Sequence, residues 1–431
     1  MKRRGNTRCL TGCDSCGNNE NKYIYKMNII FISPHFPLHF YHFCRRLKDL
    51  EANVLGIGDC PYGNLSQDVR ESVTEYYYLP SLEDYDQVMR AAAFFTFKYG
   101  KIDYVESQNE YWLELEARLR TDFNITTGWK TDELKSVKHK SLMKQGYKRA
   151  KVKTARYTLV DTKEHVEAFV GLVDFPVIVK PDNGVGASRT YKIDNEDELH
   201  DVLDGIPIDG SFIAEEFVPG HIETFDGITN SQGDIVFFSS QVMAVTPLGM
   251  LNGSGENVSY TQNVQEVDDL REAGFRTVKA FDLKNRFFHF EFFRLDSSRK
   301  GLGKKGEVLG LEVNMRAPGG YIPDKMNFAY HVDVYQIWAE TLVKGDNVSF
   351  PNVRFQRYVT HFGLSEKAEY LHTEEEIRER YGKKILLEKT PPSSISGGMG
   401  NKVYLLEADS MAELQEQANF ILAHSDGTKF F

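Results

Sequence analysis

Apolar and polar residues alternate in blocks over the first part of the chain, in the pattern of strands that are each followed by a helix. The predicted strands are 28–33, 52–57 and 102–106, and the predicted helices are about 40–50 and 84–99. Short apolar runs are typical of buried strands, and apolar residues three and four positions apart are typical of helices. Strands that alternate with helices favour a parallel sheet with helices on its faces. We therefore expect residues 27–129 to form an N-terminal parallel α/β domain.

Two loops of this domain follow predicted strands at their carboxyl ends, where open parallel sheets bind ligands. They are SPHFPLHF, residues 33–40, and ESQNEYW, residues 106–112. One interpretation is that His35, His39, Asn109 and Glu110 contact a substrate. An alternative of equal weight is that the histidines pack locally while Asn109 and Glu110 begin a helix.

Strands dominate the prediction for the central part of the chain. They are 176–180, 190–193, 212–216, 223–229, 235–245, 287–295 and 307–315, with helices at about 195–203 and 268–281. Successive strands with short connections favour antiparallel pairing. Residues 130–345 are therefore expected to form an α+β domain. In residues 346–431, strands at 357–363, 385–389 and 402–407 alternate with helices, which predicts a small separate C-terminal α+β lobe.

Composition narrows the class of protein. The chain has 431 residues, of which 41% are apolar and 13% aromatic, as in globular proteins with a substantial core. A net charge of −10 disfavours binding to nucleic acid through its phosphate backbone. No apolar run approaches the roughly 20 residues that span a bilayer. We expect a cytoplasmic protein without nucleic-acid or membrane partners.

The five cysteines all lie in the first 60 residues, so disulfides do not build the framework. Cys9, Cys13 and Cys16 have the spacing by which radical-SAM enzymes hold an iron–sulfur cluster. The favoured interpretation is instead a flexible extension over residues 1–26, because the apolar run from Met27 resembles a natural first strand. A zinc site is a third alternative, and the role of this tail stays open.

A glycine-containing loop, PDNGVGASR, follows the strand that ends at Lys180. Its two glycines allow backbone amides to approach an anion closely, which suits a flap over phosphates, although a hinge or a wide hairpin uses the same residues. Lys180, at the entrance of this loop, adds a positive charge that can reach a phosphate.

Two acidic strands carry the most specific chemistry. Glu291 interrupts the aromatic strand FFHFEFF, and a buried carboxylate needs a cation to compensate its charge. That cation is either a metal or one of the neighbouring arginines, Arg286 or Arg294. On the later strand EVNMRAPGG, the alternation of side chains puts Glu312 and Asn314 on one face, together with Arg316.

Carboxylate and amide oxygens on two neighbouring strands are the ligands that Mg²⁺ takes in nucleotide sites. The pattern therefore predicts that Glu291, Glu312 and Asn314 hold a metal ion while Arg316 faces an anion. The competing interpretation is that Glu312 forms an ion pair with Arg316.

These motifs resemble those of the ATP-grasp superfamily, and the wording is closest to bacterial carboxylate–amine ligase-like proteins. Five stretches within about residues 130–345 carry the resemblance in the order of the family: HKSLMK, VIVKPDNGVGAS, IAEEFVPG, FHFEFF and LEVNMRAPGG. The resemblance implies an ATP-grasp fold, with the α/β domain as the pre-ATP-grasp domain. One departure is the basic loop SSRKGLGKKG between the last two strands.

The resemblance also implies roles for particular residues. The ATP phosphates would be contacted by Lys140, Lys180 and the flap residues Gly184, Gly186, Ala187 and Ser188. Adenine would be bound at the hinge by Glu215, Glu216, Phe217 and Val218. Ribose would be bound by Glu223, with Asp226 as a competitor. Mg²⁺, or Mn²⁺ in its place, would be held by Glu291, Glu312 and Asn314. Arg316 and Lys180 would be the catalytic cations.

The activity implied by the resemblance is ligation of a carboxylate to an amine, or to a thiol, through an acyl-phosphate formed from Mg-ATP. The substrates would be small molecules, with an amino acid or a short peptide as the preferred class, although their identity is not given by the motifs. The alternative is a regulatory nucleotide-binding ATP-grasp protein without turnover. The oligomeric state stays open, with a homodimer as one option.

Overall fold

The computed structural model of the chain describes residues 25–184, 189–244, 256–345, 348 and 353–425, and only the main chain at 393–395. The cysteine-containing tail and the predicted flap residues Gly186, Ala187 and Ser188 lie outside these ranges. Among the described residues, no helix combines the length and the apolarity that crossing a membrane requires.

The N-terminal domain is built on a four-stranded sheet. Its strands are β1 (Asn28–Ile32), β2 (Asn53–Gly58), β3 (Glu75–Tyr78) and β4 (Tyr104–Glu106), in the order β3-β2-β1-β4. The helices are α1 (Tyr41–Asp49), α2 (Gln67–Ser72), α3 (Tyr85–Tyr99) and α4 (Leu113–Asp122). All paired strands run parallel, as predicted from the alternation of strands and helices. β3 was not predicted, because its sequence EYYY has no alternation of apolar and polar residues.

A smaller antiparallel sheet follows. Its strands are β5 (Tyr157–Leu159), β6 (Val177–Pro181), β7 (Tyr191–Ile193) and β8 (Phe212–Glu216), in the order β5-β8-β6-β7. The accompanying helices are α5 (Thr131–Leu134), α6 (Lys140–Arg149), α7 (Lys163–Val173) and α8 (Glu196–Asp204). Val177, Val179 and Ala214 are buried against α7 and α8, so one face of this sheet forms a core of its own. β6 and β8, which carry Lys180 and Glu215, are paired neighbours in this sheet.

The largest sheet has eight strands in the order β13-β12-β9-β10-β11-β14-β16-β15. Its strands are β9 (Gly220–Thr229), β10 (Ile235–Met243), β11 (Asn257–Gln262), β12 (Phe287–Leu295), β13 (Val308–Asn314), β14 (Tyr358–Leu364), β15 (Ile385–Lys389) and β16 (Lys402–Ala408). The remaining helices are α9 (Asp268–Ala280), α10 (Ile322–Tyr330), α11 (Val334–Val343), α12 (Glu374–Tyr381), α13 (Ser393–Met399) and α14 (Met411–Ile421). Phe288, Phe290 and Phe292 of β12 pack in the core on the α6 and α9 side of the sheet, so His289 and Glu291 point to the opposite face.

The C-terminal strands do not form a separate sheet, so the prediction of a separate lobe is wrong in this respect. β14 pairs with β11 in an antiparallel register that matches Asn257 with Gly363 and Tyr260 with Thr360. β16 and β15 then extend the same sheet. β11 was missed because its sequence NVSYTQ is short and mostly polar. Without β11, the sequence offered no partner that could connect the C-terminal strands to the central domain.

A buried network of charged side chains joins the N-terminal domain to the large sheet. Glu106, at the end of β4, lies 3.3 Å from Arg120 and 3.1 Å from Arg286, which precedes β12. Arg120 also contacts Glu116 at 2.7 Å. All four side chains are at most 3% exposed, so each charge depends on the others for compensation.

We predict that Arg286→Met destabilises the chain, because Glu106 and Glu116 would then share a single cation in a buried environment. The free energy of unfolding should fall by about 3–5 kcal/mol, as when one partner of a buried ion pair is removed. Arg45→Met is the control, because Arg45 contacts Glu71 at 3.8 Å through half-exposed side chains. The control should change the free energy by less than about 1 kcal/mol. Urea unfolding of both variants tests this, and equal effects would contradict the role of the network.

Candidate active site

Two carboxylates face each other across β12 and β13. The register of the two strands places Glu291 directly opposite Glu312, and His289 directly opposite Asn314. All four side chains therefore lie on one face of the large sheet, and this is the face that looks away from the aromatic core. Like charges in directly opposite positions destabilise a strand pair unless a cation lies between or beside them.

The pKa values of these two carboxylates shift in opposite directions. Burial raises the pKa of Glu312, and the charge of Glu291 adds to this effect while Lys140 opposes it. Burial also acts to raise the pKa of Glu291, but the contact with His289 outweighs it, so this pKa is lowered. The neighbouring cations thus favour the charged form of Glu291, whereas burial and the charge of Glu291 favour the protonated form of Glu312.

The ion pairs around the carboxylates differ from those considered in the sequence. Glu291 contacts His289 at 3.3 Å, rather than Arg286 or Arg294. Lys140 is the cation near Glu312, at 3.6 Å. The alternative in which either carboxylate is neutralised by a neighbouring arginine of its own strand is therefore wrong.

Arg316 lies just beyond the end of β13 and pairs with Glu110, with 3.4 Å between Nε and Oε2. Glu110 also accepts a hydrogen bond of 2.9 Å from Lys138. Asn109 caps the short helix Glu110–Trp112 by accepting from the backbone of Tyr111. The loop therefore begins a short helix, as one interpretation held, and it brings Glu110 next to Arg316, while contact with a substrate stays a prediction.

The beginning of α6 is attached to the loop that follows β6. The backbone N–H groups of Lys140 and Ser141 donate to the carbonyl oxygen and to the carboxylate of Asp182, respectively. Lys140 Nζ donates to the carbonyl oxygen of Gly184 at 3.2 Å. One end of the glycine-containing loop is therefore fixed next to Lys140 and, through it, next to Glu312.

Glu215 on β8 lies between two lysines. It contacts Lys144 Nζ at 2.8 Å and Lys180 Nζ at 2.7 Å. Burial alone would raise the pKa of Glu215, but the two cations lower it to about 2. Burial acts to lower the pKa of Lys180, yet attraction to Glu215, with smaller effects from Glu312 and Glu291, raises it. Lys180 thus stands between the hinge carboxylate and the facing pair.

Lys144 was not singled out in the sequence, where several lysines of the same segment were equivalent. Its position four residues after Lys140 puts both side chains on one face of α6. That spacing is the signal that, combined with the location of Lys140, could have identified it. Its side chain is only 3% exposed, against 12% for Lys180, and this burial lowers the pKa of Lys144 against the opposing attraction of Glu215.

The rest of the predicted adenine segment forms a polar and an apolar part. Glu216 is fully buried and accepts hydrogen bonds from Arg156, including one of 2.6 Å. The N–H group of Phe217 donates to the carbonyl oxygen of Pro176. Val218 belongs to a small apolar cluster with Ala155, Leu295, Leu302 and Leu309. The carboxylates of the hinge are therefore engaged by protein cations, and the apolar surface is supplied by this cluster.

Glu223 points away from the facing carboxylates, which corrects its assignment to ribose. In the register of β9 and β12 it lies opposite Phe292, on the side of the sheet that carries α9. There it pairs with Arg294 at 2.8 Å. Its competitor Asp226 lies on the face of the facing carboxylates but pairs with His289 at 2.5 Å. Because side chains alternate between the two faces of a strand, Glu223 lies on the face away from the site. Which face this is became clear only from the pairing of β9 with β12.

We predict that Glu215→Gln destabilises the chain by about 3–5 kcal/mol at pH 7, because it leaves Lys144 and Lys180 buried without their shared anion. The pKa of Glu215 is lowered to about 2 from 4.5. The advantage of the natural residue is therefore complete above pH 4.5 and is lost as the pH falls towards 2. Free energies of unfolding at pH 7, 4.5 and 3 measure this difference.

The control for this variant is Glu307→Gln, since Glu307 pairs with the exposed Lys153 at the surface. It should change the stability by less than about 1 kcal/mol. A Glu215→Gln variant as stable as this control at pH 7 would show that Glu215 does not hold the two lysines together.

No family model matches the chain. In sequence it is 25% identical over 259 residues to an L-arginine-specific L-amino acid ligase of Bacillus subtilis. The matched segment covers 58% of the chain and 60% of that relative. It is also 31% identical over 83 residues to D-alanine–D-alanine ligase B of Clostridium perfringens, covering 19% of the chain and 28% of the relative. The matched segments thus span less than two thirds of either relative.

Solved structures match over much more of the chain. An L-amino acid ligase from Bacillus licheniformis covers 91% of the chain with a TM-score of 0.66 and 17% identity, and 95% of that protein is matched. N5-carboxyaminoimidazole synthetase from Staphylococcus aureus, solved with ADP, covers 91% of the chain with a TM-score of 0.65 and 14% identity, and 96% of that protein is matched. The expectation from the five motifs is confirmed at the level of architecture: the chain has the ATP-grasp fold.

Proposed function

We propose that the chain is an ATP-dependent ligase that joins the carboxylate of one small molecule to the amine of another. The observation that carries this proposal is the pair of facing carboxylates, Glu291 and Glu312, with Lys140 and Lys180 beside them and Arg316 beyond the strand end. A partly exposed face with two acidic and three basic groups suits the binding of a charged phosphate compound. The likeness to amino acid ligases supports the same reaction class.

In this proposal the nucleotide binds between the small sheet and the large sheet. Lys140 and Lys180 contact the phosphates, since Lys140 is buried and bonded to the glycine-containing loop at Gly184, and Lys180, 12% exposed, lies at the end of the strand that leads into this loop. Gly184, together with Gly186, Ala187 and Ser188, supplies the flap. The apolar cluster around Val218 takes the adenine ring, with hinge backbone groups at its edge. Lys144 is added to the set, because it orients Glu215 and hence Lys180.

The donor set fits a magnesium ion. Among the described residues there is no group of three or more His, Cys, Asp or Glu side chains that could hold a metal ion. The proposed set is instead two carboxylates, Glu291 and Glu312, with the amide oxygen of Asn314, and hard oxygen donors are the ligands that Mg²⁺ takes beside phosphates. The directly opposite positions of Glu291 and Glu312 on the two strands support this proposal, because a cation beside two facing negative charges would relieve their repulsion. When bound, Mg²⁺ neutralises phosphate charge, and Mn²⁺ would serve in the same way.

The proposed reaction has two steps. A carboxylate oxygen of the first substrate attacks the γ-phosphorus of ATP, the bond to ADP breaks, and an acyl-phosphate forms. The amine of the second substrate then attacks the acyl carbon, the carbon–oxygen bond to phosphate breaks, and an amide, inorganic phosphate and a proton are released. Arg316 stabilises the negative charge on the acyl-phosphate, and positioning supplies most of the acceleration. A reaction that consumes ATP in this way is proposed to take place in the cytoplasm.

The test is to incubate the full chain with Mg-ATP and pairs of amino acids and to measure phosphate release. We expect phosphate release that depends on a carboxylate substrate, together with a product whose mass equals the two substrates minus one water. Nucleotide binding without phosphate release for any pair would support the regulatory alternative instead. The pairs should include acidic, neutral and basic amino acids, so that the result does not depend on one choice of substrate.

We predict that Glu312→Gln lowers phosphate release by about 100-fold or more, because the variant keeps the shape of the side chain but removes a charge that the cation needs. Raising the Mg²⁺ concentration or supplying Mn²⁺ should restore part of the rate. The melting temperature without ligands should hold or rise, since one of two facing negative charges has been removed.

The control is again Glu307→Gln, which removes a carboxylate from the surface just before the same strand. A destabilised Glu312→Gln variant with normal turnover would falsify the metal site. It would show that Glu312 serves the fold through its contact with Lys140.

A further inference from the structure

A cavity of about 260 Å³ opens beside Arg316 on the face of the large sheet that carries the facing carboxylates. Its polar lining includes Arg316, Lys325, Ser259, His289, His361 and Asn257. Ligand pockets commonly have volumes of about 300–1,000 Å³, so this one fits a molecule of the size of a single amino acid. None of these lining residues except Arg316 was chosen as a site residue from the sequence.

Lys325 is the unusual member of this lining. It lies on α10, is fully buried, and directs its ammonium group to Ser259, with 2.8 Å to Oγ and 3.2 Å to the carbonyl oxygen. An ammonium group has three N–H donors, and here the two recorded hydrogen bonds both go to uncharged oxygens. Burial lowers the pKa of Lys325 to about 7, against an opposing attraction from Asp226.

The other charged groups of the cavity have partners of opposite charge. Arg316 pairs with Glu110 at 3.4 Å, and His289 pairs with Asp226 at 2.5 Å. By contrast, no carboxylate within the described part of the chain lies within 4.0 Å of Lys325 Nζ. The segment 245–255, which joins β10 to β11 outside the described residues, contains no Asp or Glu in its sequence.

His361 does not add to the positive charge. Burial, with a further contribution from Lys325, lowers its pKa to about 3, so the ring is neutral. Its Nε2 lies 3.0 Å from the carbonyl oxygen of Met399, which requires Nε2 to donate. Among the described residues that line this cavity, the neutral ring therefore leaves Lys325 as the one basic side chain without a carboxylate beside it.

We propose that Lys325 binds a second carboxylate of an acidic substrate, so that the cavity selects small dicarboxylic acids, such as acidic amino acids, over their uncharged amides. One carboxylate of the substrate would lie near Arg316, where it is activated, and the other would complete the ion pair of Lys325. A buried cation without a counter-charge is unfavourable in the free protein, and a ligand carboxylate would remove this penalty. The inference rests on the proposed function for the activation step and names the substrate class of the same site.

In this proposal Lys325 determines which carboxylate substrate is bound. Its test therefore has to separate the choice of substrate from the chemical activation of the substrate carboxylate. Hydroxylamine replaces the amine substrate, so that hydroxamate formation reports only on the carboxylate that is activated. The substrate pairs are glutamate with glutamine, aspartate with asparagine, and succinate with succinamic acid. Full-length wild type should give a higher kcat/KM for the acid of each pair than for its amide.

In Lys325→Met, which keeps a long unbranched side chain, kcat/KM for the acids should fall by about 30-fold or more, as for loss of a buried charged partner. The kcat/KM values for the amides should stay within about threefold of those of wild type, which is well below the tenfold change that corresponds to about 1.4 kcal/mol. Lys344→Met is the matched control, because Lys344 pairs with Glu340 on the half-exposed side of α11 and should leave both substrates unchanged.

A binding experiment distinguishes failure of this inference from failure of the proposed function. Thermal shifts with the same acids and amides, without nucleotide, should show stabilisation of wild type by acids and none in Lys325→Met. If this holds while no hydroxamate forms, the ligase proposal fails and the carboxylate site stands. If wild type does not distinguish acids from amides in either experiment, or if Lys325→Met weakens both equally, Lys325 only supports Ser259 and the inference is overturned.

Discussion

Two carboxylates, 16% and 22% exposed, face each other across one strand pair and are the constraint on which the arrangement of this chain depends. Glu291 and Glu312 repel each other, and they are held together only because β12 and β13 are fixed by the aromatic core behind them. The cations near them come from different elements: His289 from β12 itself, Lys140 from α6, Lys180 from β6 and Arg316 from just beyond β13. Lys180 pairs with Glu215 within the small sheet and is also attracted by Glu312 and Glu291, which favours a position of the small sheet over this face of the large sheet.

The same principle sets the order of charges along the site. Glu215 occupies the centre of the small sheet between two lysines, which keeps Lys180 positioned and charged close to Glu291 and Glu312. At the other end, Arg286 directly precedes β12 and belongs to the ion network of the N-terminal domain, so that domain holds the strand that carries Glu291. Paired buried charges contribute little to the net free energy of unfolding, but removing one partner lowers it strongly, because the other charge is left buried without compensation. The charged residues of the site therefore depend on ion-pair partners that belong to the rest of the fold, so a change in one affects the other.

The sequence was a good guide to the elements and to the local face of each strand. The alternation around Val313 and Met315 correctly placed Glu312 and Asn314 on the face opposite the core, and both apolar residues are fully buried. The order of the five motifs identified the fold before any strand pairing was known. These features depend on residues that are close together in the chain, and local periodicity is preserved when a strand or helix packs on a core.

What only the tertiary structure decided are the pairings between distant parts of the chain. A strand period does not say that β14 extends the sheet through β11, that Glu223 turns towards Arg294, or that Lys140, and not Arg316, is the cation beside Glu312. Lys144 and Lys325 could not be told from solvent-facing lysines, because burial is a property of the packed neighbours. The sequence by itself determined which side chains share a face. The structure determined which charges meet, because electrostatic partners are chosen by distance in space and not by separation in the chain.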